Sequence, residues 1–277
     1  MVFWAFFISG LIFLGAFYFD EFTPINELPG APSISYYPEP NLGVVYHKPS
    51  FSLSYVEEYE LPEWVCYSLT VEMLNKKKFE RNQDFEPDRD IATGSGHYRD
   101  YKSSGFRRGH LVPSADMAWK KKAMDATFLL SNIAPMRASF NDGIWLELEH
   151  NVRDWARRYE QVTVIAGPLF SDATTTIGDN EILVPRYFYK AVFAVQDNDP
   201  MVVAFLFDQD QAQPGALGEY VISVDSLESL TGVDMFSNLY GSWDDEIALE
   251  KQSTIPKGDW PFNERWTQQR MEKQREQ

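Results

Sequence analysis

Two neighbouring stretches, GFRRGHLVPSADMAW at residues 105–119 and AMDATFLLSNIAPMRASFNDGIWLELEHNVR at residues 123–153, hold a histidine beside two arginines, two isolated asparagines and a run at helical spacing. Trp145, Leu148, Val152, Trp155 and Tyr159 recur every three or four residues and would form one apolar stripe. Asn141, Glu149 and Arg153 flank that stripe on neighbouring rows, because residues three and four apart stack on one helix face. Three polar groups can thus meet a histidine arriving from another element.

These are groups that phosphodiester cleavage needs. An anionic ester is attacked slowly, so cleavage at neutral pH requires a base for water, a cation for the developing charge and help for the leaving oxygen. His110 suits the base, since imidazole titrates near neutrality. Arg108 offers a fixed charge with forked donors suited to phosphate. Asn141 supplies a neutral carbonyl oxygen of the kind a hard cation accepts, and Mg²⁺ commonly keeps most of its waters and takes few protein ligands.

The ordered motifs carry a family resemblance. Arg107-Arg108-Gly109-His110-Leu111-Val112-Pro113, Ser131-Asn132-Ile133-Ala134-Pro135, and Asn141 with Trp145 and Glu149 resemble the signatures of the non-specific DNA/RNA endonucleases of the ββα-metal (His-Me finger) superfamily, the group that includes endonuclease G. The similarity runs from about Trp64 to about Leu239. It implies an α+β fold, a central antiparallel sheet flanked by helices, with a ββα-metal motif on one face. It implies a phosphodiester hydrolase acting on DNA and RNA. His110 would be the general base, Arg108 a phosphate-holding partner, Glu149 the group that fixes metal-bound waters, and Asn141 the ligand of one Mg²⁺, with Mn²⁺ as a substitute. Arg81, ahead of Phe85, best matches the family's phosphate-reaching arginine, and Arg153 is assigned the same role. Asn132 is expected to orient metal waters or the phosphate, against the alternative that it satisfies turn backbone. The first signature position is normally Asp, thought to support the loop, and is Arg107 here. Family members are often dimers, but no residue here identifies a dimer surface.

Composition sets bounds. With 277 residues, 44% hydrophobic and 15% aromatic, the chain can bury a sizeable core. Its formal charge of −16 is unusual for a protein that binds phosphate. Between Lys76 and Lys122, however, 12 Lys and Arg stand against 7 Asp and Glu, a balance of +5 that leaves −21 for the remainder. A basic island around a cleft suits an anionic substrate; a mixed solvated face is the alternative. Cys66 is the only cysteine, so no intrachain disulfide forms, and its surroundings suggest a buried apolar residue.

Val2 to Phe19 is a charge-free apolar run, about the ~17 to 20 residues a membrane helix requires. It lacks the Lys or Arg of a signal-peptide n-region and a clear cleavage site, which favours an uncleaved anchor over a secreted form. Asp20 and Glu21 after it favour a catalytic part outside the cytosol, in a periplasm, at a cell surface or in an organelle's intermembrane space. The expected division is an anchor at 1–19, a Pro-rich tether at 20–62, a nuclease domain at 63–245 and a charged tail at 246–277. Strands are expected at Trp64 to Met73, through Phe128 to Leu130, and at Gln161 to Phe170, Tyr187 to Val195, Met201 to Phe207 and Tyr220 to Val224. A short helix is expected from Ser226. His47, His97 and His150 read as structural histidines.

Two other function classes compete. A membrane-tethered nucleic-acid-binding protein on an inactive nuclease scaffold would explain Arg107, but has no need of His110, Asn141 and Glu149 together. A serine hydrolase using Ser114 with His110 lacks a nucleophile elbow.

Overall fold

The computed structural model describes residues 37–80, 84–197, 199–236, 250 and 259–262. Within them, β1 (Val44–Lys48), β2 (Phe51–Val56) and β3 (Leu61–Thr70) are followed by α1 (Val71–Asn75), β4 (Arg107–His110), α2 (Lys121–Ala126) and β5 (Ile133–Met136). Then come α3 (Ala138–Phe140), a wide turn at Asn141–Trp145, α4 (Leu146–Arg158), β6 (Gln161–Pro168), β7 (Thr176–Ile177), β8 (Ile182–Leu183), β9 (Tyr187–Gln196), β10 (Asp199–Asp208), β11 (Val221–Ile222) and α5 (Val224–Thr231). Seven strands make one sheet in the order β1-β2-β3-β6-β9-β10-β11, every neighbouring pair antiparallel.

The strands read as continuous apolar runs because the sheet is covered on both sides. On β3, Trp64 and Cys66 face one cluster while Val65, Tyr67 and Leu69 face the other, as the two-residue period of a strand requires. The first face packs with Val224 and Leu227 of α5. The second packs with Trp145, Leu148, Val152 and Trp155, the stripe expected from the sequence, against Val162, Val164, Phe188, Phe205 and Phe207. Cys66 is fully buried, and burial pushes its thiol pKa well up.

Three expectations need correction. Residues 44–56, assigned to the tether, are two sheet strands with Phe51, Leu53 and Tyr55 essentially inaccessible. The prolines had obscured a hairpin: Pro49 and Ser50 form the turn between β1 and β2, where proline's fixed φ fits. Phe128 to Leu130 is not a strand; Glu86 exchanges backbone hydrogen bonds with Phe128 and Leu130, and β5 starts only at Ile133. Finally, the expected tail boundary at 246 cuts off part of the core. Trp260 is 2% exposed, its ring 5.0 Å from that of Trp155, whose Nε1 donates to Pro261 O.

The apolar run at 1–19 and Arg81 lie outside the described residues. Among the described residues, no helix is long and apolar enough to cross a membrane.

Candidate active site

Strands β4 and β5 form a separate antiparallel hairpin, with Arg108 opposite Pro135, Gly109 opposite Ala134 and His110 opposite Ile133. A Cβ at residue 109 would collide with the Met136 side chain, so this close approach is why glycine stands between the arginine and the histidine. Trp145 Nε1 donates to His110 O at 3.1 Å, which ties the hairpin to the helical segment. That segment carries a break at Gly143 (φ −104°, ψ −117°), two residues after Asn141 and before the regular turns of α4.

The result is one cavity of about 290 Å³ lined by Arg108, His110, Asn141, Glu149 and Arg153, together with Asp142 and His150. Five of the seven residues assigned from the sequence therefore meet. His110 packs edge-on to Phe128 (4.9 Å between centroids) and against Phe85 (5.4 Å). Phe85 also lies beneath the Arg108 guanidinium at 4.4 Å, a cation–π contact that holds this charge beside the imidazole.

Asn132 is placed differently. It is fully buried; its Oδ1 accepts from Val112 N at 2.9 Å and its Nδ2 donates to Val112 O and Thr127 O at 3.0 and 2.9 Å. With its carboxamide spent on backbone, it clamps the loop after His110. The turn-satisfying alternative weighed from the sequence is the one observed.

Arg153 is also more committed than a free phosphate ligand. It is 6% exposed, its Nη1 donates to Asp116 Oδ1 at 2.7 Å and lies 3.9 Å from Glu149, and its Nη2 donates to His150 Nδ1 at 3.1 Å. Burial works against its charge, but Asp116 and Glu149 outweigh this and raise its pKa. Tyr67 OH donates to the second oxygen of Asp116 at 2.9 Å. Asp116, His150 and Phe85 were missed as site residues. His150 precedes Arg153 by three positions, a helical-neighbour spacing that could have flagged it.

Beneath this network lies Lys190 of β9, fully buried, its Nζ 4.1 Å from the Trp145 ring centroid and without a hydrogen-bond partner among the described residues. Burial lowers its pKa from 10.5 to about 8, against the opposing pull of Glu149 and Asp116. Below pH 8 the folded protein bears the full cost of the buried charge, on the order of 3 kcal/mol. Between pH 8 and 10.5 the unfolded chain holds a proton the folded one has released, so this cost is relieved as pH rises. Lys190→Met, similar in volume, should therefore be more stable than wild type at pH 7, and the gain should shrink at pH 10. Urea unfolding at both pH values checks this; an equal gain at both would contradict it.

The donor chemistry fits a hard divalent cation. Asn141 uses Nδ2 to bond Asp142 Oδ1 at 2.8 Å, which directs its amide hydrogens away and leaves the carbonyl oxygen for a metal. Carboxylates of Asp142 and Glu149 share the cavity, whose volume holds several waters at about 30 Å³ each.

Comparison with known proteins agrees with this geometry. Residues 32–242 match the family described as DNA/RNA non-specific endonuclease. The human mitochondrial nuclease EXOG is 31% identical over 205 residues, 68% of this chain and 55% of that protein. The chain thus spans little more than half the length of this relative. Human mitochondrial endonuclease G is 31% identical over 223 residues, 72% of each chain. A mitochondrial nuclease of Saccharomyces cerevisiae is 28% identical over 216 residues, 70% of this chain and 65% of that protein. The solved structure of an EndoG/EndoGI complex has a TM-score of 0.68 at 28% identity, covering 73% of this chain and 89% of that chain.

Proposed function

Because the chain belongs to the DNA/RNA non-specific endonuclease family, we propose that it hydrolyses internal phosphodiester bonds of DNA and RNA with His110 as general base. One observation carries the reading: an imidazole, a forked cation and a lone carboxamide oxygen line a single cavity. His110, held by Phe85 and Phe128, takes a proton from the water that attacks phosphorus. Arg108 grips the non-bridging oxygens of the scissile phosphate. Glu149 orients water within the cavity, and Arg153, already bound to Asp116, adds positive charge without leaving its place. Asn141 would hold Mg²⁺, which when bound supplies charge for the phosphate and the leaving oxygen. Contact with backbone phosphate alone gives little sequence preference.

The charge-free run at 2–19 supports an N-terminal anchor, and the mitochondrial relatives support an organelle location with the catalytic domain outside the cytosol.

The full chain, kept in mild nonionic detergent, should convert supercoiled plasmid to nicked circles and then linear DNA in Mg²⁺, and should degrade RNA. EDTA should abolish both activities and added Mg²⁺ restore them. Nucleic-acid binding without cleavage in either Mg²⁺ or Mn²⁺ would instead mark a binding protein on an inactive scaffold.

A further inference from the structure

Lys190 has no part in the chemistry proposed above, yet its ammonium is fully buried and lacks a hydrogen-bond partner among the described residues. Lysine is almost never fully buried unless paired. Its place on β9 is apolar. Phe188 and Val192 precede and follow it on the same face, and its cross-strand neighbours are Ala166 of β6 and Phe205 of β10. A methionine would fill that place with no charge to desolvate. A charge kept there against the stability of the fold calls for a reason in function.

What the ammonium meets is the face of one indole. Its Nζ stands 4.1 Å from the Trp145 ring centroid, well inside the reach of a cation–π contact, which gains strength away from water. The same ring donates its Nε1–H to His110 O at 3.1 Å. A cation over the ring face draws electron density from the indole and makes that N–H a better donor. Phe140, Phe188 and Phe207 also pack around Trp145, at 5.5, 6.0 and 6.3 Å between centroids, but as neutral rings they fill space without polarising the N–H. Contact therefore runs unbroken from Lys190 through Trp145 to the backbone of His110, whose imidazole has to be aimed at water.

We propose that Lys190 is a positioning residue: its ammonium fixes the Trp145 indole, and the indole fixes His110 at the angle that cleavage requires. The proposal rests on His110's being the general base. Glu149 and Arg153 of α4 and Asp116 of the loop after β4 act on the ammonium through their charge, and Tyr67 of β3 joins them through Asp116. Burial brings the pKa of Lys190 to about 8, whereas those of Tyr67 and Arg153 are raised above their ordinary values. Near pH 8, Lys190 thus loses its proton while Tyr67 and Arg153 keep theirs. Deprotonation takes the cation off the ring, and the rate falls with it.

The experiment measures kcat and KM for plasmid nicking by the full chain in Mg²⁺ from about pH 6.5 to about 9.5, beside urea unfolding. Lys190→Met should lower kcat about 10- to 100-fold, the usual effect of removing a group that orients a catalytic one, with KM and affinity in EDTA nearly unchanged. The same variant should resist urea better at pH 7; a merely structural lysine would not yield a more stable and slower enzyme. Wild-type kcat should fall as pH rises through about 8, and that descending limb should be missing from Lys190→Met. Trp145→Phe, which lacks the N–H, should be slow as well. Adding Lys190→Met to it should change kcat by less than about threefold, because both substitutions break one line of contact. A Lys190→Met enzyme with wild-type kcat, losses that multiply in the double variant, or a wild-type profile flat to about pH 9.5 would each overturn the proposal. The wild-type profile needs no substitution, so it decides even where a variant fails to fold. A wild type inactive at every pH in Mg²⁺ and Mn²⁺ overturns the catalytic reading and this proposal with it, whereas an active wild type matched by Lys190→Met overturns this proposal alone.

Discussion

His110→Ala is expected to lower the rate of plasmid nicking by about 10²- to 10⁴-fold, the usual contribution of a positioned general base. The loss should fall on catalysis and leave folding and binding nearly as they are. The group that ties hairpin to helix is the His110 carbonyl, which accepts from Trp145 Nε1 and survives the substitution. The imidazole makes ring contacts to Phe85 and Phe128, and these two phenyl rings also pack on each other at 5.2 Å. Arg108 keeps its seat on Phe85, so nucleic-acid affinity in EDTA should change little. Cleavage rates with plasmid and RNA, measured beside anisotropy, separate the two effects. A variant that still nicks within about threefold of wild type would remove His110 from the chemistry and leave the general base to another group.

Asp116→Ala should be the most destabilising single change near the site. Asp116 is essentially inaccessible and is bonded to Arg153 at 2.7 Å and Tyr67 at 2.9 Å. Its removal strands a buried guanidinium and a buried hydroxyl together, and breaking one side of a buried pair typically costs about 3–5 kcal/mol. For a domain of this size the thermal midpoint should fall by roughly 10 °C, taking about 2–4 °C for each kcal/mol. The charge imbalance also reaches Glu149, 3.9 Å from Arg153, so cleavage should fall too. Asp116→Leu combined with Arg153→Met, which deletes both charges, should recover most of the stability without restoring activity, since apolar replacement of a buried ion pair is often neutral or better. Calorimetry beside the plasmid assay reads both quantities. If Asp116→Ala melts within about 2 °C of wild type, the network beneath the site is not holding it.

The same network explains why an acidic protein can present a cationic cleft. Of the negative groups close to the site, Asp116 and Glu149 are each faced by Arg153 and Asp142 by Arg107, which stands with Arg108 on the exposed hairpin. Lys48, from outside residues 76–122, is buried and pairs with Asp88 and Asp90, so one of the negative charges counted in that stretch is offset by a lysine that the local count omits. Local charge sums therefore understate the positive field that a strand would meet.

Much of this was legible in the sequence where the physics is local. The helical stripe Trp145, Leu148, Val152 and Trp155 is buried as its period required, and the apolar strands β6, β9 and β10 lie close to their expected bounds. His110, Arg108, Asn141, Glu149 and Arg153 could be named because ordered motifs at fixed spacing resemble a family, and the helix period predicts which of them share a face. What the tertiary structure alone decided is which polar group is spent inward and which is left for a substrate. Asn132 and Asn141 look equivalent in the sequence, yet one is exhausted by three backbone contacts and the other keeps its oxygen. Asp116 meets Arg153 across 37 positions, and Lys190 meets Trp145 across 45, so no local pattern announces either. Periodicity is a property of neighbours along the chain. Burial and charge pairing depend on which distant segments the closed sheet brings together.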